Sequence, residues 1–129
     1  MFKVDLIEFN RRMARYTANL EEINWMGIGE TVEESIKMNF DCGGRPERWT
    51  PRKVEPRPYH PVLNKTGRLK ESFYIMEVKD GVTIGNKTPY QAVHNFGYPE
   101  KNIAQREYMI VQEDDKRKIA KDIIEDILK

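Results

Sequence analysis

Residues 66–97 read TGRLKESFYIMEVKDGVTIGNKTPYQAVHNFG, and three local devices follow one another along them. A turn at Lys65-Thr66-Gly67 launches a β-rich run from Leu69 to Val78. Asp80-Gly81 suits the positive φ angles of a tight primed turn, which predicts a hairpin closing onto Val82-Thr83-Ile84. Thr88-Pro89 has the pattern of an N-cap followed by a proline in the first helical turn, and Gly97 that of a C-terminal stop. Between them Tyr90, Val93 and His94 fall at i, i+3 and i+4, one face of a short helix. The rest of the chain covers, supports or extends this unit.

Upstream, Leu6, Phe9, Met13, Tyr16, Leu20 and Ile23 form one apolar stripe at alternating spacings of three and four. Asp5 and Glu8 have the spacing of a capping box, and Gly27 and Gly29 end or interrupt the helix. The stripe can face the domain's own sheet or a second copy; it is too short for an autonomous coiled coil, which favours the sheet. Thr31 with Glu34 repeats the capping pattern. Val32, Ile36 and Phe40 continue it as a second helix that Cys42-Gly43-Gly44 breaks.

The stretch from Asp41 to Leu63 holds five of the seven prolines, a density that excludes helix interiors and central strands. Trp49 and Tyr59 give it anchoring surface that a plain linker lacks. It reads as an extended, partly mobile arm (41–63) within a single domain spanning 1–129, becoming ordered against a partner. Downstream, Tyr108-Met109-Ile110-Val111 suits a third strand. A last helix from about Glu113 to Leu128 carries Ile119, Ala120, Ile123, Ile124, Ile127 and Leu128 on one stripe. The element order predicts an α+β domain: a small antiparallel sheet packed by N- and C-terminal helices, with a long Pro-rich loop arm.

With 129 residues, 39% apolar and 33% charged, the chain can bury only a thin core, and partner contacts are a natural supplement. Net charge is +1, yet the 41–70 segment has eight basic against three acidic residues, which leaves the remainder acidic. A lone Cys42 allows no intrachain disulfide, the start has no secretory signal core, and no stretch has a membrane-spanning apolar run. A soluble protein made in a reducing cytoplasm is expected.

Candidate chemistry is sparse. Cys42, His60 and His94 are too few and too scattered for a structural zinc site, and no third group orients a Cys–His pair. His94 is expected to pack its ring and donate a hydrogen bond to a loop carbonyl. Glu21-Glu22 and Asp114-Asp115 are adjacent on helices and do not face one another. Gly43-Gly44-Arg45-Pro46 lacks the spacings of phosphate-binding loops. No catalytic residue, metal or cofactor is expected. The arm's Arg45, Arg48, Trp49 and Arg52, with Tyr59, have residue types enriched at protein–protein hot spots. They also have the ingredients of a nucleic-acid contact, but Glu47 and Glu55 dilute the charge. The protein-partner reading is preferred, with nucleic-acid binding by segment 41–70 as the alternative.

Three motifs carry a resemblance: Phe40-x-x-Gly43-Gly44-Arg45-Pro46-x-Arg48-Trp49-x-Pro51, Leu63-x-x-Thr66-Gly67-x-Leu69-x-x-Ser72, and Tyr90-x-x-x-His94-x-Phe96-Gly97. In this order and spacing they resemble the phage virion morphogenesis family, the Mu-like tail-completion proteins. Arg52 stands where an aliphatic residue is usual, and Tyr98-Pro99 replaces the glycine often seen after Phe-Gly. Arg106 and an aromatic are kept without their flanking prolines. The resemblance implies a non-enzymatic phage or prophage structural protein acting in tail completion or head–tail joining. It further implies a homo-oligomeric ring contacting other head and tail proteins, with no membrane. Such a protein would be located in the virion and, during assembly, in the bacterial host's cytoplasm.

Overall fold

The computed structural model describes residues 5–129; Met1–Val4, on which the reading of the chain's start rests, lie outside the described residues. Helices α1 (Leu6–Leu20) and α2 (Trp25–Cys42) come first. A helical turn α3 (Arg68–Glu71) leads into strands β1 (Phe73–Val78) and β2 (Gly81–Asn86). Helix α4 (Gln91–Phe96), a 3-10 turn at Pro99–Lys101 and helix α5 (Glu113–Ile127) complete the chain. The class is α+β, with helices at both termini flanking a two-stranded antiparallel sheet.

The hairpin alternates as a half-covered ribbon must. Ile75 pairs with Ile84 on the inner face, whereas Tyr74 pairs with Gly85 and Met76 with Thr83 on the outer one. Its loop is Lys79-Asp80, one residue earlier than expected: Asp80 takes the positive φ of 58° and Gly81 already belongs to the ladder. Asp tolerates that left-handed conformation, so the glycine is free to pair. On the inner face α2 comes very close. A Cβ at Gly29 would lie 2.6 Å from Ile75 Cγ2 and 2.8 Å from Val82 Cγ2, so only glycine lets the helix rest there.

Further along α2, Val32, Ile36 and Phe40 form the core with Leu69 and Tyr108. Rings of Phe40, Phe73, Tyr108 and Trp49 meet edge-on or tilted, with centroids 5.2–6.1 Å apart. Fully buried Tyr108 donates its hydroxyl to the Gln91 carbonyl at 2.6 Å, and burial pushes its phenol above the ordinary range.

Residues 108–111 are not a third strand. Buried side chains take the place of a ladder: Asn95 Oδ1 accepts from the Tyr108 and Met109 amides, both at 3.0 Å, and Asn39 Nδ2 donates to the Tyr108 carbonyl at 2.8 Å. Four further boundaries move for local reasons. The first break falls at Glu21–Asn24, where Asn24 caps α2 by accepting from Gly27 N, so both glycines sit inside α2. Thr31 is helical, its hydroxyl donating to the Gly27 carbonyl instead of capping. Thr88 is buried and bonded to Asn86 Oδ1 by its amide and hydroxyl, so α4 starts later without a side-chain cap. The strand also begins at Phe73 rather than Leu69, because residues 68–71 close a helical turn.

Helix α1 departs most from expectation. Asp5 caps it as predicted, accepting from Glu8 N at 3.0 Å, while the Glu8 carboxylate pairs with Arg11 and Arg12. Its stripe does not rest on the sheet, whose inner face α2 already occupies. The helix lies against the end of α5, where Asn19 Nδ2 donates to the Ile127 and Lys129 carbonyls at 2.8 and 3.2 Å. None of its residues is buried, and Leu6 and Phe9 remain 65% and 52% exposed.

Two stability changes are expected. Asn39→Ala removes the Tyr108 contact and strands Arg45 Nε, and should cost about 2–4 kcal/mol in urea unfolding, against under about 0.5 kcal/mol for exposed Met38→Ala. Gly97 has φ 80°, and a Cβ there would meet Gln105 N at 2.9 Å. Gly97→Val should therefore lower the melting temperature by the equivalent of about 1–3 kcal/mol, measured by thermal unfolding.

Candidate functional site

The proline-rich stretch after α2 is tied to the body mainly through main-chain acceptors. Trp49 Nε1 donates to the Glu107 carbonyl at 2.9 Å, and Arg106 Nε returns a bond to the Thr50 carbonyl at 2.9 Å. Gln112 Nε2 donates to the Arg45 carbonyl at 3.2 Å. Arg45 itself turns inward, its Nε donating to Asn39 Oδ1 at 2.8 Å and its terminal nitrogen to the Ser35 carbonyl and hydroxyl. The Ser35 hydroxyl in turn donates to the Asp115 carboxylate. Of the five expected interface residues, Arg45, Trp49 and Arg52 thus bond within the chain, half-buried Arg52 donating to the His60 carbonyl at 2.6 Å, and Arg48 and Tyr59 are exposed. The Arg52 guanidinium lies 5.6 Å from the Tyr59 ring centroid.

A cavity of about 620 Å³ opens between the end of this stretch, the 64–69 turn, α4 and Arg106. Four cations line it: Arg52, Lys65, Arg68 and Arg106. Both imidazoles, His60 and His94, are in its wall, and Val62, Leu63, Leu69 and Tyr90 supply apolar surface. No acidic residue is among the described residues that line it. Arg52 has an exposed partner outside the wall, Glu55, at 3.1 Å. Surface pairs of that kind contribute little. Among the described residues no carboxylate comes within 4.0 Å of the Lys65, Arg68 or Arg106 charge, whereas neighbouring Lys70 holds Asp41 at 2.7 Å.

The electrostatics register this crowding. Burial first, and then the Arg52 charge, push Arg106 downward, although a guanidinium keeps its proton at neutral pH. His94 is held below the usual imidazole value by burial and then by Arg106. Its ring stands edgewise to Tyr90 with centroids 5.8 Å apart, so the helical-face reading of that pair holds. The expected ring hydrogen bond to a loop carbonyl does not form: Nδ1 is buried without a partner, and it is the His94 main-chain oxygen that receives Arg106 N at 2.9 Å. Arg52 Nε is likewise buried and unpartnered.

Of the motif residues, Leu63, Thr66, Gly67, Leu69, Tyr90, His94 and Arg106 line this cavity, and the others lie outside its wall. Gly43 closes α2, and Gly44 is packed so that a Cβ would touch Trp49 N at 2.6 Å. Pro46 and Pro51 are exposed along the stretch. Thr66 Oγ1 accepts from Arg68 N at 3.3 Å, Gly67 starts α3, and Leu69 enters the core. Ser72 donates its hydroxyl to the Arg68 carbonyl. Phe96 is 69% exposed beside Gly97. His60 and His94 meet in one wall, whereas Cys42 is exposed and outside it. Among the described residues no three His, Cys, Asp or Glu side chains come together as a metal would need. Sequence reasoning did not single out Lys65 and Arg68 as site residues, though both were counted in the basic segment, nor Asn39, Asn95 and Gln112, which no motif marks.

Residues 4–129 match the phage virion morphogenesis family, and the chain belongs to it. It is also similar to Mu-like prophage FluMu G protein 2 of Haemophilus influenzae, 29% identical over 117 residues that cover 87% of this chain and 81% of that protein. No solved structure matches it. Membership gives the chain a part in phage virion morphogenesis and association with virion proteins. No described helix is long and apolar enough to cross a membrane.

The pKa causes give a testable sign. The His94 imidazole should titrate below 6.5, and Arg106→Gln should move it upward in an NMR titration by removing the nearby cation. Because folding lowers this value, the neutral ring's contribution to stability is complete above about 6.5 and declines as pH falls toward the folded value.

Proposed function

We propose that this protein is a non-enzymatic structural subunit of phage or prophage tail completion or head–tail joining. It works by assembling with copies of itself in a ring and by gripping other head and tail proteins. Assembly takes place in the cytoplasm of the bacterial host, and the product stays in the virion. Family membership and the Mu-like prophage relative support this reading. The observation that carries it is α1, a 15-residue amphipathic helix with no buried residue.

An apolar stripe left in water is a cost that contact with another surface removes, at roughly 25 cal/mol per Å² covered. Leu6, Phe9 and Met13 on α1 are exposed, with Ile124 on α5 and Leu128 just past its end also exposed. The outer hairpin face adds Tyr74, Met76 and Val78. A ring requires such differing surfaces, since each subunit offers one patch to the neighbour behind and another to the neighbour ahead. Arg48 and Tyr59, exposed on the proline-rich stretch, are further contacts in this scheme.

Two experiments bear on it. Deleting the gene from an inducible prophage should leave unjoined heads and tails in electron micrographs and few infectious particles; normal yields would refute the assignment. In light scattering, Phe9→Asp with Met13→Asp should lower the assembled mass while the circular dichroism spectrum and melting temperature persist, since neither residue is buried.

A further inference from the structure

We infer that the cavity between the proline-rich stretch and α4 is a docking pocket for an acidic peptide segment of a protein partner, gripping its carboxylates with Arg52, Lys65, Arg68 and Arg106. Like charges are not gathered around a recess without a cost. Arg52 and Arg106 repel one another, and of the four only Arg52 has a carboxylate within ion-pair reach among the described residues. The contrast with Lys70, which is neutralised by Asp41 just outside the wall, shows how the fold treats a cation that it does not keep available.

Two buried polar atoms point the same way. Arg52 Nε and His94 Nδ1 belong to side chains in this wall and have no partner. Buried polar atoms are almost always bonded, so two unpartnered ones in a single wall mark it as a place whose polar groups the chain does not satisfy by itself.

The choice of a peptide over a nucleic acid comes from the rest of the lining. About 620 Å³ admits several side chains, and Val62, Leu63 and Leu69 present apolar surface that a ligand with aliphatic side chains beside its acids would cover. A sugar-phosphate backbone has nothing to place there. Tyr90, the aromatic of the wall, already has the Arg68 guanidinium 5.8 Å from its ring centroid, which leaves that face closed to a stacking base. The partner's being a protein rests on the virion-assembly reading; the unneutralised cations do not.

The test uses the full chain and a short fluorescent peptide of alternating glutamate and leucine, with a single-stranded oligothymidylate of matched charge as comparison. Fluorescence anisotropy should show saturable peptide binding that weakens as salt is added, with the oligonucleotide binding less tightly. The double variant Lys65→Glu, Arg68→Glu should weaken the peptide about tenfold or more. Both side chains are exposed, so the variant's NMR spectrum should remain that of the folded protein. In the wild type the peptide should shift the His94 ring resonances. Absence of saturable binding, or binding that survives both charge reversals, overturns the inference. Tighter binding of the oligonucleotide also overturns it and assigns the cavity to nucleic acid. If gene deletion blocks head–tail joining but the double variant restores it fully, the docking pocket fails while the assembly function stands.

Discussion

Two buried asparagines, Asn39 on α2 and Asn95 on α4, hold the segment that crosses the core. Asn95 Oδ1 takes two successive amides and Asn39 takes the carbonyl between them, so the Tyr108 main chain is satisfied without a neighbouring strand. Burying a peptide unit with no partner costs several kcal/mol in an apolar setting, so the Tyr108 side chain can fill the core only because these two amides are in place. Asn39 also accepts from Arg45 Nε, and through Arg45 and Ser35 the network reaches Asp115 at the start of α5. One polar cluster therefore fixes α2, α4, α5 and the proline-rich stretch relative to one another. Beside it the hydrophobic core is a cluster of five buried side chains, Phe40 among them.

This arrangement explains where the apolar surface went. The sheet has two strands, and its inner face is filled by α2 at the contact distance that Gly29 permits. No inner sheet surface remains for α1, whose end is pinned to α5 by Asn19 while its stripe stays in solvent. A body this thin is consistent with a subunit whose remaining burial occurs in an assembly. The same economy shows at the cationic cavity, where, among the described residues, Lys65, Arg68 and Arg106 are left without carboxylates.

The class of the fold was legible from short-range signals. The β-rich composition of 73–78, the Asp5 cap, the apolar stripe of 113–128 and the stop at Gly97 are local, and each acted where it stands. What escaped were the cases where a polar side chain displaced the default. Tyr108–Val111 has a strand's composition, but Asn95 sits 13 and 14 residues away in sequence from the amides it takes, and no window contains both. Thr88 and Thr31 have the right type for caps, yet each found another partner. The α1 stripe was correctly seen and its destination was not, since only the packed structure shows that α2 already occupies the sheet. For the site, the charge excess of 41–70 was countable, while the folding of Arg52, Lys65 and Arg68 toward Arg106 depends on the path of the intervening chain.

That path has a property of its own. Three ties of the proline-rich stretch run from fixed donors, Trp49, Arg106 and Gln112, to main-chain oxygens of Glu107, Thr50 and Arg45. A peptide oxygen is the same whichever residue bears it. Outward-facing positions such as Arg48, Lys53, Val54 and Tyr59 can therefore be exchanged without redrawing the course of the loop. Changing what those positions present needs new side chains on an unchanged backbone trace.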